Sequence, residues 1–471
     1  MPGRSRVLVL GLDSVSPHLL TSRFRAHIPR LTRQIERGAF GTLKSCDPPI
    51  TVPAWAVMFT GMDAGSLGLY GFRNRRPGTY FDNVAPSPAG LPYPAIWDIA
   101  SRTGRRVCVL GVPPGYPPPT VNGVYVSCLL TPPGARDLVT PSTLLEEVER
   151  VTGGYQFDVL FRSDDRARVA AEIFEMTRKR WALARHLWRK EAWDLFIVHE
   201  IGPDRLHHAF WKYFDPAHPR HVPGSEFSDI GARYYELLDQ EIGALLDDVG
   251  EDVTVLIVSD HGSQAMEGCF CVNDWLRSNG WLALQAPPAP GTRLEEAQVD
   301  WSRTKAWGAG GYYARIQLNV QGREPEGIIP PSEVPAVLDE LTAALEDLRG
   351  PSGRSLGVEV ARPSEIYDEV RGQPPDLIAY FGDLKWRSAG SVGHPSLFLE
   401  ENDTGPDDAV HSWDGVLAAA GPGLKAKGPI STARIRDIAP TVLRLLGIPP
   451  PPTMRGQVIS GLLGRHHHEE R

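Results

Sequence analysis

The chain has 471 residues, 42% hydrophobic and 23% charged, with a formal net charge of −8. These values are ordinary for a soluble globular protein and argue against a nucleic-acid-coating surface or a polybasic membrane anchor. Five scattered cysteines (Cys46, Cys108, Cys128, Cys269 and Cys271) argue against a disulfide framework. In chain order, Val7 to Leu12 (VLVLGL) reads as a buried strand closed by Asp13. It is too short for a signal-peptide core or a membrane span, and no other stretch approaches 18 apolar residues. A cytoplasmic protein without a membrane partner is the expectation.

The next informative stretch, CDPPITVPAWAVMFTG (Cys46 to Gly61), puts Thr51 after a Pro-rich segment, with Pro53 placed to open a helix. A hydroxyl there meets backbone N–H groups and a dipole that favour an alkoxide or a phosphate oxygen. For this segment alone, a plain N-cap is the preferred reading of Thr51. Strands follow at Arg106 to Val112 and Asp194 to His199, separated by a helix at Val169 to Glu191. The second strand runs into EIGPDRLHHAFW, where Asp204 and His208 lie four apart and share one helix face. His207 is an alternative to His208. A helix at Tyr234 to Val249 precedes a strand, Val253 to Ser259, that ends in Asp260, His261 and Gly262. The glycine reads as a tight turn after two ligands.

From about Gln264 to Pro375 the strand–helix rhythm breaks, apart from a helix at Glu333 to Leu348, and this stretch reads as an insertion or cap. The chain is expected to return to its core at a strand, Asp376 to Phe381. DDAVHSWDG, with His411, precedes a strand at Gly415 to Ala420, and a helix at Ile438 to Leu446 is stopped by Gly447 and Pro449. The fold expected is α/β, a mostly parallel central sheet flanked by helices. Its core would span 1–263 and 376–464, with an inserted cap region at 264–375 and a solvated tail at 465–471.

In open parallel sheets ligands gather at the carboxyl ends of strands. Asp13, the Asp204/His208 pair, Asp260/His261 and His411 all fall in loops of that kind. Asp204, His208 and His411 make a three-ligand set with an open position, the pattern of a catalytic metal. Asp13, Asp260 and His261 make a second set, and two divalent ions about 4 Å apart can clamp the attacking and leaving oxygens of a phosphoryl displacement. A metal would also be needed to lower the pKa of Thr51 for attack at neutral pH. Arg73, Arg75, Arg76, Arg315 and His394 are candidate substrate contacts, with a solvated face as the plainer explanation for the arginines. Cys269 and Cys271 lack a second Cys pair and read as reduced structural thiols.

Taken together, VLGLDS, PPITVPAWAVMFTG, PDRLHHAFW, SDHG and HSWDGVLAAAGPG, followed by RDIAPTVLRLLGIPPPPTMRG, resemble the alkaline phosphatase superfamily. They look most like its type I phosphodiesterase/nucleotide pyrophosphatase branch and related phosphohydrolases. The resemblance implies Asp13, Thr51, Asp260 and His261 at one metal and Asp204, His208 and His411 at the other. It implies that Thr51 attacks phosphorus to form a phosphothreonine, which water then hydrolyses. Zinc is the family's usual ion and suits these ligands; Mn and Fe are compatible. Leu67 stands where the family usually has His, and Arg455 where Asp is common, both outside the metal set. No Cys-x-Pro-x-Arg motif is present, which speaks against a formylglycine sulfatase. The leading expectation is therefore a two-metal phosphoester hydrolase of phosphodiesterase or nucleotide pyrophosphatase type, acting on a small-molecule phosphoester. A phosphomonoesterase or phosphomutase of the same superfamily is the alternative, and a non-catalytic binding protein on the same fold is disfavoured.

Overall fold

The computed structural model describes residues 5–463, so the tail expected at 465–471 lies outside the described residues. The central sheet has ten strands. Its middle runs in the spatial order Val253–Val258, Arg6–Leu12, Leu195–Glu200, Val107–Gly111, Gly123–Cys128, every neighbour parallel. These strands are buried almost end to end, the near-continuous apolar runs that a sheet covered on both faces demands. Their period of two still sorts the side chains. Val7, Val9, Leu256 and Val258 enter one core, with the helices Thr51–Thr60 and Ile438–Leu445. Leu8, Leu10, Val255 and Ile257 enter the other, with Arg166–Lys190 and Ile230–Leu246.

Asp414–Ala420 joins beside Val253–Val258 and runs antiparallel to it. Its start, and hence His411 just before it, therefore lies at the end of the sheet where the parallel strands finish. Ala39–Lys44 pairs on its other side, again antiparallel.

The strand Leu377–Phe381 does not return to this sheet, contrary to the expectation from sequence. It belongs to a second, seven-stranded sheet, antiparallel to Ala314–Leu318 and Val358–Ala361. The reason is compositional: LIAYF is apolar and buried throughout, so nothing in it distinguishes a strand of the second sheet from one of the first. Trp386–Ala389 and Phe398–Leu399 also belong to the second sheet, which therefore reaches well past residue 375. All five cysteines are free. Among the described residues no helix is long and apolar enough to cross a membrane.

Candidate active site

The site is built at one end of the central sheet, from the residues that follow its strands. Asp13 comes directly after Arg6–Leu12, and Asp260 and His261 come just after Val253–Val258. Leu195–Glu200 leads into the helix Gly202–Phe214, which carries Asp204 in its first turn and His208 one turn later. His411 lies in Ala409–Ser412, and Thr51 is the first residue of Thr51–Thr60. Ile50, not Thr51, is the N-cap of that helix. All seven side chains are at most 1% exposed.

Their donor atoms converge in two groups. In the first, His208 Nε2 is 3.2 Å from Asp204 Oδ1 and 3.4 Å from His411 Nε2, and His411 Nε2 is 3.6 Å from Asp204 Oδ1. Tetrahedral coordination with bonds of about 2.0–2.2 Å sets donors roughly 3.3–3.6 Å apart, so these spacings suit one divalent cation. In the second group, His261 Nε2 is 3.0 Å from Asp260 Oδ2, 3.4 Å from Thr51 Oγ1 and 3.8 Å from Asp13 Oδ1. The rings of His261 and His411 stack with centroids 3.7 Å apart and join the two groups.

Three carboxylate oxygens in these groups, Asp13 Oδ1, Asp204 Oδ1 and Asp260 Oδ2, are buried and make no hydrogen bond among the described residues. A buried anionic oxygen without a donor is costly unless something else satisfies it. The opposite oxygens are all engaged. Asp13 Oδ2 accepts from Trp55 Nε1 and lies 2.8 Å from His199 Nε2, Asp204 Oδ2 accepts from Arg205, and Asp260 Oδ1 accepts from the Ser14 N–H. The three imidazoles follow the same rule. Nδ1 of His208 meets Asp407 Oδ1 at 2.7 Å, Nδ1 of His261 meets Gly262 O at 3.1 Å, and Nδ1 of His411 meets Pro49 O at 2.8 Å. Each ring thus turns Nε2 inward, the outer-shell arrangement that orients metal-ligating histidines.

Electrostatics point the same way. Burial, with the facing charges of Asp260 and Asp204, pushes Asp13 well above the usual carboxylate range, and burial also raises Asp260. Burial opposes ionisation of Asp204 too, but His208, Arg205 and His411 hold it well below that range. A bound cation reverses such penalties and lets all three carboxylates ionise together. The donor chemistry and the convergent buried oxygens therefore fit divalent metal.

Residues 7–414 match the sequence family described as type I phosphodiesterase/nucleotide pyrophosphatase. The chain belongs to that family. As a member of the type I phosphodiesterase/nucleotide pyrophosphatase family, it is a phosphoester hydrolase. Human ectonucleotide pyrophosphatase/phosphodiesterase 5 is similar in structure, with a TM-score of 0.54 at 14% identity, covering 95% of this chain and 96% of that one. The murine protein of the same name, in an inactive form in complex with AMP, gives a TM-score of 0.56 at 14% identity over the same shares. No curated protein matches the sequence significantly.

Other candidates fall differently within this phosphodiesterase fold. His207 turns away from the ligand groups, toward Ser263 Oγ at 2.8 Å and Tyr235 OH at 3.1 Å. His394 stays apart as well: its Nε2 is 2.7 Å from Ser391 Oγ, and it groups with Cys271 and Asp274. Arg75 is consumed in a buried pair with Glu324, and Arg76 pairs with Asp82 at the surface. Arg73 and Arg315 line a cleft of about 820 Å³ that also takes in Ile50, Phe161, Arg205 and Tyr312. Arg315 donates to the Arg73 carbonyl, and neither has an ion-pair partner among the described residues. Leu67 packs in the hydrophobic core.

Several neighbours of the site escaped the sequence reading. Tyr312 places its OH 3.1 Å from His208 Nε2 and its ring 3.9 Å from that of His411. Asp407 anchors His208 from four residues before His411, and His199 supports Asp13. The visible signals were DDAVH, where Asp407 precedes His411, and the polar end of the strand carrying His199.

Gly262 is needed for a reason other than a turn. It does not adopt the left-handed conformation but opens the strand Gly262–Ala265. A Cβ there would lie 2.3 Å from Asp414 O and 2.4 Å from both Ser16 Oγ and Ser412 Oγ. Gly262→Ala is expected to destabilise the fold by about 1–3 kcal/mol through overpacking. Denaturant midpoints check this, and an unchanged midpoint would show that the neighbours yield freely.

Proposed function

We propose that the protein hydrolyses a phosphodiester or pyrophosphate bond with two divalent metal ions and a covalent phosphothreonine on Thr51. The observation that carries this reading is the convergence of three buried carboxylate oxygens that accept no hydrogen bond and three inward Nε2 atoms beside the Thr51 hydroxyl. Asp13, Thr51, Asp260 and His261 would hold one ion, and Asp204, His208 and His411 the other. When bound, such ions supply charge neutralisation for the phosphoryl oxygens and lower the pKa of a hydroxyl or water in contact with them. Zinc suits the donor set best, with Mn and Fe compatible.

Thr51 Oγ forms the new P–O bond as the bond to the leaving group breaks, and the leaving oxygen takes a proton. Water then forms a P–O bond, the Thr51 Oγ–P bond breaks, and the threonine regains its proton. Burial of Thr51 excludes bulk water from the first step, and the N-terminus of its helix favours the developing anion. The AMP bound to the structurally similar murine protein supports a nucleotide-containing substrate here. Arg73 and Arg315 would receive a second anionic group of the substrate in the cleft.

One set of rate measurements tests this. Bis-p-nitrophenyl phosphate and a nucleotide pyrophosphate are expected to turn over at least about tenfold faster than p-nitrophenyl phosphate. Arg315→Gln should raise KM for the pyrophosphate and leave the diester unaffected. Preference for the monoester would instead favour a phosphomonoesterase, and return of the phosphoryl group to a second hydroxyl a phosphomutase.

A further inference from the structure

Between the helices Leu145–Thr152 and Arg166–Lys190 the chain crosses the candidate site without regular secondary structure from 155 to 165. Two chains of contacts run from this segment to one ligand group. Asp158 engages Arg205 through both oxygens, at 2.6 Å to Nε and 2.8 Å to Nη2. The remaining nitrogen, Arg205 Nη1, donates to Asp204 Oδ2 at 2.6 Å. Four residues further on, Arg162 reaches Asp407 Oδ2 with Nε at 3.1 Å and Nη2 at 3.0 Å. Asp407 Oδ1 in turn lies 2.7 Å from His208 Nδ1. The Phe161 ring fills the space between, 4.8 Å from the Arg205 guanidinium, 4.9 Å from that of Arg162 and 5.3 Å from the His208 ring.

The other ligand group is supported from elsewhere. Asp13 is held by Trp55 and His199, Asp260 by the Ser14 N–H, and His261 by Gly262 O. No residue of 155–165 takes part in those contacts.

We infer that this segment is a strap that positions the Asp204/His208/His411 half of the site alone, with Asp158 and Arg162 as its positioning residues. The inference rests on the two-metal reading above. Its physical basis is charge balance and geometry. Arg205 sits between two carboxylates, so Asp158 neutralises a cation that would otherwise draw Asp204 away from a metal ion. The paired N–H···O bonds fix the guanidinium plane as a single contact would not. Val159 and Phe161 anchor the strap in the core, with Tyr155 and Phe157 packed against it, while Leu160 between them is 84% exposed and the Asp158 side chain is 32% exposed. The two relays are not equivalent. Asp407 Oδ2 also accepts from Arg387 at 3.0 Å, whereas no second carboxylate replaces Asp158 on Arg205 in this network.

The test is metal content after equilibrium dialysis against buffered zinc, read by mass spectrometry, with far-UV circular dichroism to verify folding. The unaltered protein is expected to hold two ions per chain. Asp158→Asn should weaken one site by about 10–100-fold, the effect typical of lost outer-shell partners, and so retain about one ion. Arg162→Gln should have a smaller effect because Arg387 remains, and Arg162→Gln/Arg387→Gln a larger one. Asp158→Glu should restore loading. Retention of two ions with unchanged affinity in Asp158→Asn and in the double arginine variant overturns the strap, as does simultaneous loss of both ions. Absence of zinc from the unaltered protein would overturn the two-metal reading itself, a distinct outcome.

Discussion

Thr51→Ala is expected to lower the turnover of a phosphodiester by about a thousandfold or more while leaving bound metal and fold intact. The magnitude follows from the loss of a covalent nucleophile, after which only positioning and electrostatic stabilisation remain. The site makes the substitution unusually clean. Ile50 is the N-cap, and Thr51 contributes no capping bond, so the helix Thr51–Thr60 loses nothing at its start. Among the described residues the hydroxyl's one side-chain partner is His261 Nε2 at 3.4 Å. His261, Asp260 and Asp13 are each anchored by other contacts and still converge without it. Measuring kcat together with zinc content separates loss of chemistry from loss of metal. A variant that keeps its metal and works within tenfold of the unaltered protein would remove Thr51 as nucleophile. Thr51→Ser, which preserves a hydroxyl, should recover a substantial part of the activity.

How much of this was visible beforehand depends on whether a side chain's role is set locally. Asp13, Asp260 and His261 follow buried apolar strands directly, and a parallel sheet brings such ends together whatever the loops do. That made the location of the site legible. The choice between His207 and His208 was not, because adjacent residues on a helix point about 100° apart and either can face inward. Packing decides it: Ser263 and Tyr235 take His207, while Asp407 and Tyr312 meet His208. Asp407 and Tyr312 themselves lie 199 and 104 residues from His208, and no local pattern encodes contacts at that range. The strand Leu377–Phe381 was recognisable as a strand but not assignable to a sheet, since burial on both faces erases alternation. Gly262 stood out as special, yet its cause is the close approach of Asp414 O from a strand about 150 residues later.

Removal of metal should lower the thermal midpoint by about 5–8 °C as well as abolish activity. At free ion about 100–1,000 times Kd, each occupied site adds roughly 2.7–4.1 kcal/mol. A chain of this length unfolds with an entropy of about 1 kcal/mol/K, so two sites give roughly one degree per kcal/mol. The effect has a definite pH dependence. Without metal, burial and neighbouring charge raise Asp13 and Asp260 above the ordinary carboxylate range. Burial works against a charged His208, but Tyr312, Asp407 and Asp204 outweigh it and hold that imidazole well above its ordinary value. In the stripped protein all three hold their protons to higher pH than the unfolded chain does, and each must give one up to bind an ion. The stripped protein loses their contribution as pH rises, whereas metal binding tightens over the same interval. The gap in midpoint between loaded and chelated protein should consequently widen from pH 5 to pH 8. Calorimetry at the two pH values, with zinc added back after chelation, measures it directly. A gap that is constant or narrows toward pH 8 would mean that these buried groups are not the ones that give way to metal.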